Sequence, residues 1–145
     1  MPFRFSLAPV LRLRESIEKR QETTLQAAQL ELARTRRRID ELTHEMARAW
    51  EKREQALRET IPANRLQTMQ AEINAAVEAR QTLQEASQTL KCDRDLQMKL
   101  YTEAHAGRQI ITDLLAQKKS AYLLQEARAE QKMLDSVAAT RWQRY

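Results

Sequence analysis

Proline and glycine interrupt regular structure more strongly than any other residues, and this chain of 145 residues has three prolines and one glycine. Pro2 and Pro9 stand at the extreme N-terminus. Pro62 is then the only firm stop before the C-terminus, and Gly107 is a softer one. The spacing predicts helices over about 7–60 and about 63–142, with a reversal at about 61–63. The expected fold is all-α: two long helices forming an antiparallel coiled-coil hairpin. The second helix is expected to be longer, with a C-terminal overhang, and residues 1–145 to form a single helical hairpin. A chain with so little loop has to work through its faces and ends.

Composition agrees. Aromatic residues make up 5 % and charged residues 31 %, a mixture that with heptad spacing marks a coiled coil. Disorder is the competing reading for a chain so polar, and periodicity argues against it. From Leu25 a seam of alternating three- and four-residue steps runs through Ala28, Leu32, Thr35, Ile39, Leu42, Met46, Ala49, Arg53 and Ala56. A 3.5-residue period held this long implies packing against another helix with a left-handed twist. Upstream, Leu7, Val10, Leu11 and Ile17 fall in a shifted phase. Glu18 and Gln21 interrupt the seam, so a register irregularity or a change of partner is expected at 18–24.

Ser6 is the expected cap of the first helix and Thr60 or Asn64 that of the second. The second seam reads Leu66, Met69, Ile73, Ala76, Arg80, Leu83, Ser87 and Leu90, and its phase is expected to weaken beyond. At about 1.5 Å per residue the second helix is roughly 120 Å long, placing Leu7 opposite about residue 117 and leaving roughly 25 residues without an intramolecular partner. Those residues still carry apolar side chains at three- and four-residue steps: Leu123, Leu124, Ala127, Leu134, Val137, Ala138, Trp142 and Tyr145. An isolated apolar stripe on one helix is unstable in water, so something is expected to cover it.

The net charge of +5 and a sequence pI near 9.7 permit nucleic acid, an acidic membrane or an acidic protein as partner. The densest cations, Arg34, Arg36, Arg37 and Arg38, fan around the helix without interleaved aromatics, so base stacking is not served and no DNA is expected. A lone thiol, Cys92, fits a reducing compartment. No apolar run is long enough to span a bilayer, and the N-terminus lacks a signal peptide's apolar core. The segment reads as mature protein and the cytoplasm as its location.

Catalysis finds no support. One glycine cannot build a phosphate-cradling loop. His44 beside Glu45 lacks the second histidine of a zinc helix, and His105 lies far along the other arm. Cys92 reads as a small residue beside the seam, Met46 and Met69 as core fillers. No cofactor and no metal is expected. Trp50, Trp142 and Tyr145, with Arg141 and Arg144, are of the types that dominate binding hot spots.

Both ends carry short signatures. The chain opens Phe3-Arg4-Phe5-Ser6-Leu7, continues with Val10-Leu11-Arg12 and has Glu18 after them. Near the other end stands Glu130-Gln131-Lys132-Met133-Leu134-Asp135. These stretches resemble the FliJ family of flagellar export proteins, which opens Phe-x-Phe-x-Leu and then Val-Leu-Arg, and closes with Glu-Gln-Lys-x-Leu-Asp. Ser136 stands where the family often has an acid. The resemblance implies a soluble, non-catalytic part of the flagellar type III export apparatus, located in the cytoplasm and peripheral to the inner membrane at the flagellar base. It implies a stalk whose helix ends enter a hexameric export ATPase, FliI, with further contacts to the export gate protein FlhA and to escort chaperones.

On that reading Phe3, Phe5, Leu7, Val10, Leu11, Leu134, Val137, Ala138 and Trp142 form the entering surface. Arg12, Arg14, Lys132 and Arg141 steer it toward acidic loops, and Gln131 and Asp135 belong to the C-terminal signature. The alternatives are a homodimeric coiled-coil scaffold whose overhangs pair, a basic nucleic-acid-binding module, and the equivalent stalk of a virulence injectisome.

Overall fold

A computed structural model describes residues 2–144. It contains two α-helices, α1 (Ala8–Arg58) and α2 (Ala63–Gln143), and no strand among the described residues. Neither helix is long and apolar enough in any stretch to cross a membrane. The fold is thus all-α, with α2 the longer helix by thirty residues. The chain divides into two compact units: a turn unit, Gln21–Tyr101, and a terminal unit, Met1–Arg20 with Thr102–Tyr145.

In the turn unit α1 and α2 pack as an antiparallel coiled-coil hairpin. Of its α1 seam, Leu25, Ala28, Leu32, Leu42, Met46 and Ala56 are buried. Thr35, Ile39, Ala49 and Arg53 are half-buried at the intervening steps. On α2 Ile73 is buried, and Leu66, Met69, Ala76, Arg80, Leu83, Ser87 and Leu90 are half-buried. The expected weakening beyond Leu90 does not occur. Arg94, Gln97 and Tyr101 are half-buried at the same three-four spacing. Long side chains lay their methylene stems along a seam while their polar tips reach water, which hides the phase from a reading that looks only for apolar residues. The reversal needs no left-handed residue. The Glu59 amide donates to the Ala56 carbonyl at 3.2 Å, tightening the last turn of α1, and Ile61, preceding Pro62, is disfavoured in the helical region. The carbonyl of Pro62, rather than Thr60 or Asn64, begins α2 by accepting from Arg65 and Leu66.

In the terminal unit the α1 phase also continues. Counting back from Leu25 in three- and four-residue steps reaches Gln21, Glu18, Arg14, Leu11 and Leu7, all half-buried except Arg14. The expected irregularity at 18–24 is absent because Glu18, though charged, occupies a seam position with a partner of its own on α2. The α1 helix starts one residue later than a Ser6 cap requires: the Leu7 carbonyl accepts the first helical bond, from the Leu11 amide at 2.8 Å. Pro9 then lies in the first turn, where its missing N–H costs little.

Candidate partner-binding surface

Ahead of α1, Phe3, Phe5 and Leu7 are half-buried while Pro2, Arg4 and Ser6 are exposed. From Pro2 to Phe5 the alternation belongs to an extended segment with one apolar edge, and Ser6 and Leu7 turn the chain into α1, the Ala8 amide donating to the Phe5 carbonyl at 3.1 Å. The segment lies along α2, and the two together line a groove of about 430 Å³ whose α2 wall is Leu114, Lys118, Ala121, Tyr122 and Gln125. Phe3 meets Tyr122 with ring centroids 5.4 Å apart, a tilted pairing favoured by the ring quadrupoles. The Tyr122 hydroxyl donates to Glu126 Oε1 at 2.6 Å, and that bond holds the phenol's pKa above its ordinary value. Phe3, Phe5 and Leu7 therefore already spend part of their apolar surface within the chain.

Beyond Tyr122 every described residue is exposed. Leu134 is 65 % and Trp142 84 % accessible; Leu123, Leu124, Met133 and Val137 are each more than half accessible. The exposure of Leu123 and Leu124 is informative, because the neighbouring Tyr122 is covered by Phe3. At about 100° per residue, Leu124, Ala127, Leu134, Ala138 and Trp142 lie between about 120° and 200° around the helix from Tyr122, with Val137 at about 60° on their flank and Met133, at about 20°, outside the stripe. The stripe of the tail is therefore no continuation of the hairpin seam. It points away from it, and a longer N-terminal segment on the seam face would leave it uncovered.

Within the C-terminal signature, the Gln131 side chain donates to Asp135 Oδ1 at 3.1 Å, a pairing that supports an isolated helix. Lys132 is exposed beside it. Among the N-terminal candidates, Val10 is exposed, Leu11 half-buried, and Arg14 exposed with its guanidinium over Gly107. The groove beneath Phe3, Phe5 and Leu7 ends at Gln125, short of Gln131, so the two sets of candidates occupy separate surfaces. Tyr122 and Gln125 were not among the candidates. The alternation of Phe3, Phe5 and Leu7 was the signal that an extended segment would need such a floor.

Charge is distributed unevenly. The turn unit has thirteen lysines and arginines against thirteen acids, and the terminal unit twelve against seven, so the whole net charge of +5 sits in the unit that carries the tail. The turn unit's exposed aromatic, Trp50, has the Arg53 guanidinium 5.1 Å above its ring. No group of three or more His, Cys, Asp or Glu that could hold a metal ion exists among the described residues.

The protein family described as flagellar FliJ protein matches residues 3–145, a span that includes both terminal signatures. The chain belongs to the FliJ family. Membership makes it a component of flagellar protein export, which favours the flagellar reading over the injectisome. Comparison with curated proteins and with solved structures gave no significant match.

Proposed function

We propose that this FliJ-family chain is a non-catalytic stalk that seats its termini in the hexameric export ATPase FliI and stimulates it. All 145 residues serve as one functional module, which also links the ATPase to the export gate protein FlhA and to escort chaperones. It works in the cytoplasm, peripheral to the inner membrane at the flagellar base. The observation that carries this reading is the uncovered apolar stripe of α2, facing away from the hairpin seam, on the unit that holds the net positive charge. Exposed apolar surface of this kind marks a protein-interaction site. Lys132 and Arg141 on the tail, with Arg14 farther back over Gly107, favour encounter with acidic walls. Leu134, Val137, Ala138 and Trp142 supply the contact surface. Phe3, Phe5, Leu7, Val10 and Leu11 supply a second one on the seam side, and Gln131 and Asp135 stiffen the helix between.

The test is ATP hydrolysis by the cognate ATPase, titrated with the full chain and with a chain ending at Gln125. That endpoint keeps Tyr122 under Phe3. Stimulation by the full chain and none by the shortened one is the expected result. Equal stimulation by both removes the tail from the interaction.

A further inference from the structure

Every buried apolar side chain among the described residues, Leu25, Ala28, Leu32, Leu42, Met46, Ala56 and Ile73, lies in the turn unit. The terminal unit has none. Its helices meet through half-buried residues such as Leu7, Leu11, Ile111 and Leu115, and such loose apolar contact specifies axial register weakly, since leucine and isoleucine accept one another's positions. Yet this unit fixes how much of α2 is left uncovered.

One polar cluster stands in that seam. Glu18 and Arg108 occupy seam positions of α1 and α2, with side chains 17 % and 20 % accessible. Arg108 Nε donates to Glu18 Oε2. Arg108 Nη1 donates to Thr112 Oγ1 at 3.3 Å, while the Thr112 hydroxyl donates to the Arg108 carbonyl at 3.1 Å. His105 Nδ1 lies 3.4 Å from Glu18 Oε1 and 3.3 Å from Arg108 Nη2. That nitrogen serves one of them at a time, donating to the carboxylate when protonated and accepting from the guanidinium when bare. Gly107 completes the arrangement: a β-carbon there would lie 3.3 Å from Arg14 Nη1, so its absence gives the second guanidinium of the seam room against α2.

We infer that Glu18 and Arg108 are positioning residues that set the axial register of the N-terminal end of α1 on α2, and through it the point at which the uncovered tail begins. A half-buried ion pair adds little net stability, because desolvation offsets the attraction. Its effect is specificity. Any other register leaves the carboxylate or the guanidinium half-buried without its partner, whereas apolar residues tolerate the shift. A polar group at a coiled-coil seam position is a known register device.

The inference separates register from stability and does not depend on the ATPase. In full-length protein carrying Cys92→Ser, spin labels at the exposed positions Leu13 and Lys119 report the α1–α2 distance in the terminal unit. The native pair is expected to give one narrow distance. The double variant Glu18→Leu with Arg108→Leu is expected to melt no lower than the native pair, yet to give a broadened or split distribution, a heptad step (an axial slide of about 10 Å) appearing as a second, separate distance. Glu18→Arg with Arg108→Glu is expected to return a single narrow distance. Should the leucine pair lose helix, Glu18→Gln is read in the same way and is also expected to broaden. A leucine pair, or in its place Glu18→Gln, that keeps the native narrow distance overturns the inference; so does a charge-reversed pair that stays broad.

Discussion

Single residues set two properties of this chain that composition does not reveal. Gly107 is helical, with no positive φ, and the atom a β-carbon would meet, Arg14 Nη1, ends a flexible side chain. Gly107→Ala is therefore expected to raise stability by up to about 1 kcal/mol through helix propensity, read as a higher urea midpoint. Arg14 moves by a few tenths of an ångström to admit the methyl. Glu18 sets the second property. Its hydrogen bond from Arg108, and then that from His105, hold the carboxyl below its ordinary value of 4.5. A depressed carboxyl stabilises the fold above that ordinary value, and the contribution is lost as pH falls through the lowered one. For a pair with partial access to water the amount is up to about 1 kcal/mol. Denaturation below pH 4.5 is expected to show this loss in the native chain, while Glu18→Gln lacks it and unfolds with a flatter acid limb.

At the scale of the helix, α2 has two apolar faces in succession, and the uncovered one contributes nothing to folding. Replacing both Leu134 and Val137 by aspartate is accordingly expected to change the melting transition followed by circular dichroism by no more than about 1 kcal/mol, as for two surface positions. The same double variant is expected to lose ATPase stimulation. Both helices were legible in the sequence because breakers are so few and because the α1 seam from Leu25 to Ala56 is almost wholly apolar. The stretch of α2 beyond Leu90 and that of α1 before Leu25 were not, since Arg94, Gln97, Arg108 and Glu18 hold seam positions with polar side chains. Hydrophobic periodicity is silent where a seam is filled by stems and ion pairs. The tail's stripe was visible in sequence, but its direction was not: Leu123 and Leu124 follow Tyr122 without a break, and only the covering of Tyr122 by Phe3 separates the two faces.

For the whole molecule, charge and apolar surface are segregated along the sequence. The turn unit holds the buried core and balanced charge; the terminal unit holds the excess cations, the looser packing and the exposed stripe. Such a division suits a chain whose centre maintains the hairpin and whose ends meet a partner, and it accords with membership of a flagellar export family. In the proposed role the stripe itself touches the export ATPase. A photo-crosslinking amino acid placed at Leu134 of the full chain and irradiated with the assembled ATPase is expected to join the two proteins, whereas a matching probe at the exposed Leu30, in the turn unit, is expected to give no adduct. An adduct from Leu30 and none from Leu134 would place the contact in the turn unit and remove the stripe from it.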